Sequence, residues 1–398
     1  MSHRSLLGCV AVLFAAARAE ASVPDAYGFG GRSPGLAGAG AATASGYDAT
    51  WLNPAGLTEA TRIRLNVGWV QGGASLRLDG SDRSVDDTSG AIVGAAVPLP
   101  FTGALRERVA LGVGIFFPRR LLNHAVAPFP DEVRLPLLDT HTSVVSANGA
   151  LAVKILPELS VGIGLIALAT LAGEINLQPD SANRIVSSVN ERLEWSTAPL
   201  FGARYRPTDD LRLALTFRGA SRSGFELKIT NTLGPVLPIG VPTLRIAGTS
   251  QYDPLQLQGE LNYRLKGWLS AAAGATWKHW SAFPLPTENV TAYTFPQRAT
   301  GFHDTLVPRA ALEATAAWGP RTLQARAGYF FEMTPSPPEQ PVLVDANRHV
   351  LCAGAGLTLP VGEGALQIDA FGQLHALAGS ARTSGRVLVG GLTVGIDL

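Results

Sequence analysis

The chain has 398 residues, 46% of them hydrophobic and only 16% charged, against roughly 25% charged for an average soluble domain. That is too polar for a bundle of membrane helices and too poorly charged for an ordinary soluble enzyme. Formal charge is +1, so no whole-protein field draws in nucleic acid, and none is expected as a partner.

Residues 1–21 read as a secretory signal. His3 and Arg4 form a short basic start, Leu6 to Ala17 are mostly apolar, and Ala19-Glu20-Ala21 fits the small-x-small cleavage pattern. Cleavage is expected after Ala21. It would remove Arg4, Arg18 and Glu20, so that 32 basic and 31 acidic residues become 30 of each. Leu6-Leu7-Gly8-Cys9 has no apolar region before it, so no lipid anchor is expected. Cys9 leaves with the signal, and Cys352 alone cannot close an internal disulfide.

Residues 22–60 follow as a segment of different character. From Asp25 to Thr58 it is dense in Gly and Ala, sparse in charge, and ends in Trp51-Leu52-Asn53-Pro54-Ala55-Gly56. Neither a period of 2 nor of 3.6 runs through it. Such a segment suits tight turns packed inside something larger, and is read here as a small plug, or hatch. In Asn53, Pro54, Ala55 and Gly56, proline fixes φ and asparagine hydrogen-bonds its own backbone. Together they predict a fixed turn where the hatch meets its surroundings.

Residues 61–398 read as β-structure throughout. Fourteen segments of mostly alternating character lie near 61–78, 90–101, 107–118, 139–156, 159–177, 191–206, 210–229, 243–265, 267–281, 304–318, 321–333, 347–360, 364–378 and 385–398. The connections alternate, short after even segments and longer after odd ones, as in outer-membrane barrels. Ala182 to Glu191 is expected to form a helical turn in one of the longer loops. Leu257, Leu261, Tyr263 and Leu265 share one face of their segment, while Gln256, Gln258, Glu260 and Asn262 share the other. Apolar out and polar in at period 2 is what lipid outside and a wet bore require. Tyr205, Tyr263 and Trp318 sit beside short turns, with Trp69, Phe117, Trp195 and Trp277 about ten residues along, which predicts two interfacial belts. No segment is a convincing membrane helix: Leu159 to Gly173, for example, falls short of the ~20 residues a span needs. The fold expected is all-β, a 14-stranded antiparallel transmembrane β-barrel with an N-terminal lumenal hatch.

Several residues are candidates for function. Inward Arg204, Lys278, Arg309 and Arg326 are placed to meet a substrate carboxylate. The alternative is that they pair with Glu194, Glu260, Glu313, Glu332 and Asp369 across the bore. Phe116, Phe117, Leu121, Leu122 and Phe129, at and beyond the end of a strand, are candidates for an apolar entrance groove. No catalytic, metal or cofactor motif stands out, and the seven His are scattered.

Taken together these residues resemble the FadL-type long-chain fatty acid and hydrophobic-compound transporters of outer membranes. The resemblance rests on Gly35–Gly46, Asn53-Pro54-Ala55-Gly56, Pro207 to Arg218, Trp277-Lys278-His279-Trp280-Ser281, Arg326 to Tyr329, and Pro341, Asp345 and Arg348. It implies uptake of a long-chain fatty acid or other hydrophobic molecule by passive, hatch-gated diffusion, with release sideways at a kinked strand. It also implies a Gram-negative outer membrane with its lipid and lipopolysaccharide, and help from barrel assembly machinery. The competing expectations are a general diffusion porin for small polar solutes and a barrel that serves only as anchor or adhesin.

Overall fold

The computed structural model describes residues 22–85, 87–119, 133, 135, 144–182, 184–231, 243–285 and 299–398. In chain order the strands are β1 Arg64–Leu78, β2 Ser81–Arg83, β3 Thr88–Pro98, β4 Val109–Pro118, β5 Ser146–Lys154, β6 Leu159–Pro179, β7 Ile185–Tyr205, β8 Leu211–Arg218 and β9 Ser221–Asn231. They continue with β10 Leu244–Asp253, β11 Gln256–Lys266, β12 Leu269–Lys278, β13 Thr305–Trp318, β14 Arg321–Glu332, β15 Asn347–Val361, β16 Gly364–Ala378 and β17 Thr383–Asp397.

Fourteen of these close a ring among the described residues: β1, β3 to β8 and β11 to β17, each antiparallel to its neighbours. Closure is made where β1 meets β17, from Arg64 opposite Asp397 to Leu78 opposite Thr383. A sheet closed on itself leaves no edge whose N–H and C=O groups would face hydrocarbon unpaired, which is the condition for strands to cross a bilayer.

The side chains follow the pleat. On β11, Leu257, Leu261, Tyr263 and Leu265 are exposed on the outer face, whereas Gln256, Gln258 and Glu260 are buried within. On β14, Leu323 and Tyr329 point out and Arg326 and Glu332 in, and on β16 the buried set is Asp369, Phe371, Gln373 and His375. Tyr205, Tyr263 and Trp318 are exposed near the short turns, and Trp69, Trp195 and Trp277 near the long-loop end. These are the two amphipathic belts of a membrane barrel.

Two departures from the sequence reading matter. Ala182 to Glu191 makes no helical turn, because β7 begins at Ile185 and pairs with β6 out to Pro179. Ile185, Val186 and Val189 are strand formers, and Asp180 closes the hairpin by accepting from the amides of Ala182 and Arg184 at 2.8 and 2.9 Å. The segments 210–229 and 243–265 are each two strands, broken at Gly219-Ala220 and Pro254-Leu255. Pro254 has no N–H to give a ladder. Beyond the breaks β9 and β10 pair with each other, and β9 runs parallel to β6 along Leu171–Leu177.

The lipid-facing assignment can be tested at mid-strand. Leu261→Arg is expected to lower the unfolding free energy in lipid vesicles by about 2–4 kcal/mol, read from urea titration by tryptophan fluorescence.

Candidate functional site

The bore is occupied by residues 22–60, which are mostly buried. The segment holds short helical turns at Val23–Tyr27, Arg32–Gly35 and Ala49–Leu52, and a 3-10 turn at Pro54–Glu59. Between them the backbone is irregular, so its amides and carbonyls need outside partners. Inward side chains of the wall supply them. Glu260 accepts from the amides of Gly40, Ala41 and Ala42 at 2.9, 3.2 and 3.0 Å. Arg309 donates to Gly38 O at 3.1 Å, Thr216 to Leu52 O at 2.9 Å, and Gln373 to Tyr27 O and Pro34 O at 3.2 and 3.0 Å. Arg218 donates to Trp51 O at 2.8 Å and lies 4.1 Å over the Trp51 ring.

The Asn53 turn is fixed by contact with the wall. Asn53 Oδ1 accepts from Ala55 N, and its Nδ2 donates to Ala203 O on β7, both at 3.0 Å. The strands opposite carry glycine because nothing larger fits. A Cβ at Gly202 would fall 2.0 Å from Asn53 Oδ1, and one at Gly162 would fall 2.6 Å from the Pro54 carbonyl carbon. Gly56 meets the same limit within the hatch, its Cβ position lying 2.4 Å from Ala44 O. The turn is thus a docking point of the hatch on β6 and β7.

Each candidate basic residue already has partners. Arg204 binds Glu59 of the hatch and reaches Ala44 O at 3.3 Å. Lys278 bridges Asp25 and Glu332 at 3.0 and 2.9 Å. Arg326 binds Glu313 and Asp369 at 2.8 and 2.6 Å, and Glu313 also takes Arg32 of the hatch. Arg309 hydrogen-bonds Thr276 at 2.9 Å besides Gly38. Of the acids weighed as partners, Glu313, Glu332 and Asp369 do pair with these bases, whereas Glu260 serves the hatch amides. Glu194 lies instead in the outer cleft.

Near the start of the hatch, Asp25 lies between Lys278 and Arg218, 3.0 and 3.9 Å away, and accepts from Gln256 Nε2 at 2.6 Å. Burial pushes its carboxyl upward, but the two cations outweigh that and hold it below the ordinary range. This group borders a small cavity of about 50 Å³, lined also by Tyr27, Arg309 and Phe330.

Phe116 and Phe117 do not share a surface. Phe116 is 2% exposed and faces the bore, while Phe117 is 38% exposed and faces outward, as adjacent residues on one strand must. Leu121, Leu122 and Phe129 lie outside the described residues. Phe116 joins instead an inward apolar set with Val70, Ile92, Leu168, Val387 and Val389. Alternation does not reveal this set, because β1 and β17 carry apolar residues on both faces and an apolar inward residue weakens the polar-in signal.

At the long-loop end the two hairpins β6–β7 and β9–β10 enclose a cleft of about 980 Å³, lined by Glu174, Arg192, Glu226 and Lys228 among others. Glu226 pairs with Arg245 at 2.6 Å, and Glu174 with Lys228 at 3.5 Å. Below it, β7 pairs with β8 only from Leu200–Arg218 to Tyr205–Leu213. The seam ends where Gly219 N donates to Pro199 O at 2.8 Å. Beyond Pro199, the edge of β7 that faces β8 has no strand partner among the described residues.

A closed ring of strands with an apolar outer face, its bore filled by the chain's own N-terminal segment, defines a plugged transmembrane channel. The chain belongs to the family described as "Outer membrane protein transport protein (OMPP1/FadL/TodX)", which matches residues 11–376. It is therefore an outer-membrane β-barrel of a transport family.

Solved structures of the same fold include a FadL homologue of Pseudomonas aeruginosa, 16% identical over 96% of this chain and 98% of that one, with TM-score 0.58. The toluene transporter TbuX of Ralstonia pickettii is 13% identical over 94% and 100%, with TM-score 0.57. The toluene transporter TodX of P. putida is 13% identical over 94% and 99%, also with TM-score 0.57. No curated protein sequence matches the chain.

Loss of the docking turn gives a direct check. Asn53→Ala leaves Ala55 N and Ala203 O without their partner, a cost of about 1–3 kcal/mol for buried groups. It is expected to make residues 22–60 cleavable by added protease while the barrel itself stays intact, as followed by mass spectrometry of the digest.

Proposed function

We propose that this barrel takes up hydrophobic molecules, long-chain fatty acids or related lipids and hydrocarbons, by passive diffusion, with residues 22–60 as a movable closure. The observation that carries the reading is the apolar inner face at Val70, Ile92, Phe116, Leu168, Val387 and Val389. These side chains are buried in one cluster with Tyr27, Phe29 and Trp51 of the hatch, so movement of the hatch is what opens them to an apolar solute, which gains on the order of 25 cal/mol per Å² of surface it buries there. Membership in the transport family and the toluene transporters of the same fold support it.

In this reading the charged cleft at the long-loop end admits an amphipathic solute, whose tail then reaches the apolar side of the bore. Lys278 and Arg218 are the cations best placed for a substrate carboxylate, since Asp25 already sets one between them. Arg204, Arg309 and Arg326 are tied to the hatch or to Asp369, so their first role is to hold the closure. Release is sideways into the bilayer where the β7–β8 seam parts above Pro199, a path on which an apolar solute never enters water. Phe117, on the outer face, and Leu121, Leu122 and Phe129 remain candidates for the entrance. Lipopolysaccharide surrounds the barrel in this reading, and barrel assembly machinery inserts it.

The test is reconstitution in liposomes. The intact protein is expected to raise uptake of labelled fatty acid above protein-free vesicles, without sugar-driven swelling. Brisk swelling with no retained fatty acid would overturn the proposal in favour of a polar diffusion porin.

A further inference from the structure

The first described residue, Ser22, has its backbone nitrogen 2.7 Å from Asp253 Oδ1. Both residues are almost fully buried, at 1% and 0% exposure. Ser221 Oγ donates to the other carboxylate oxygen at 3.3 Å. Asp253 forms no ion pair among the described residues, although the neighbouring Asp25 has Lys278 and Arg218. A buried carboxylate held by one amide and the hydroxyls of Ser22 and Ser221, with no ion pair, is short of compensating charge.

We propose that cleavage after Ala21 makes Ser22 the first residue of the mature protein, and that its α-ammonium forms a buried ion pair with Asp253. Water adds across the Ala21–Ser22 peptide bond: Ala21 departs as a carboxylate, and the Ser22 nitrogen takes up protons to become an ammonium. The amide offered one N–H; the ammonium offers three and a full positive charge, and such charge-assisted bonds are roughly twice as strong as neutral ones. Processing thus creates the group that fixes the start of the hatch. Asp253 is the last residue of β10, just before the break at Pro254, so the pair ties the hatch to the point where the outer hairpin leaves the wall. Removing either partner strands the other charge in the interior. The inference deepens the reading of residues 22–60 as the closure and rests on it, but its chemistry is measurable without any transported solute.

Periodate cleaves the Cα–Cβ bond of an N-terminal serine, releasing formaldehyde and, after hydrolysis of the imine, ammonia, and leaving a glyoxylyl group, while periodate is reduced to iodate. Protein purified from outer membranes is expected to have the intact mass of a chain beginning at Ser22. It should resist periodate while folded, and react once unfolded in urea. In folded Asp253→Asn, the terminus should open more often and be oxidised at least roughly tenfold faster. Insertion of Ser-Gly between Ala21 and Ser22, which carries a new terminal serine past Asp253, should give rapid oxidation in the folded barrel even if the first variant does not fold. A different first residue, wild-type oxidation as fast folded as unfolded, or full protection in the insertion variant would each overturn the proposal. Failure of fatty acid uptake with Ser22 still protected would count against the transport reading alone.

Discussion

The constraint on which this structure depends is that an irregular backbone buried in a bore must find hydrogen-bond partners there. Residues 22–60 are too often interrupted by Gly and Pro to make long helices or strands of their own, and each buried amide left without a partner costs on the order of 1–3 kcal/mol. The wall answers with inward Glu260, Arg309, Thr216, Gln373 and Arg218, each bonded to a hatch backbone atom. The polar interior of the barrel is therefore only partly a lining for water. Much of it is the set of partners that a compact, small-residue stopper needs.

The same economy explains where side chains are missing. Gly162 and Gly202 leave the strand backbone bare so that the Asn53 turn can sit against it, and the small hatch residues leave room for long wall side chains to reach over them. Away from the charged groups the inner face turns apolar, at Val70, Ile92 and Val389. One bore thus combines a polar grip on the hatch with a surface suited to hydrophobic solutes. The grip is made of many separate hydrogen bonds, and near its N-terminal end Asp25 adds contacts to Lys278 and Arg218.

Much of this was legible from the chain alone. Period-2 alternation in most segments, with the ordering of short and long connections, gave the fourteen wall strands because lipid outside forces that pattern, although the Gly/Ala-rich β3 and β15 carry little of it. Glycine density set residues 25–58 apart from the strands. The breaks at Gly219 and Pro254 were hidden because alternation runs on through them while the strand changes partner. Sequence could not show that Asn53 meets Ala203, 150 residues away, or that Glu260 serves backbone amides rather than an arginine. The pairing of Arg204 with Glu59 was likewise out of reach, since Glu59 sits at the end of the hatch, and charge counting on strands never reaches it. The apolar inner set was present in the letters, but two-faced apolar strands give no period from which to read it.

Everything above depends on the hatch lying inside the closed wall, and the chain offers a direct way to measure it. Cys352, buried on β15, shares an apolar cluster with Ala37 of the hatch. In Ala37→Cys, mild oxidation of the folded barrel should join position 37 to Cys352 within one chain, read as a linked peptide by mass spectrometry after digestion. Two free thiols after the same oxidation, in a barrel that still migrates as folded, would place the glycine-rich segment elsewhere and contradict the account.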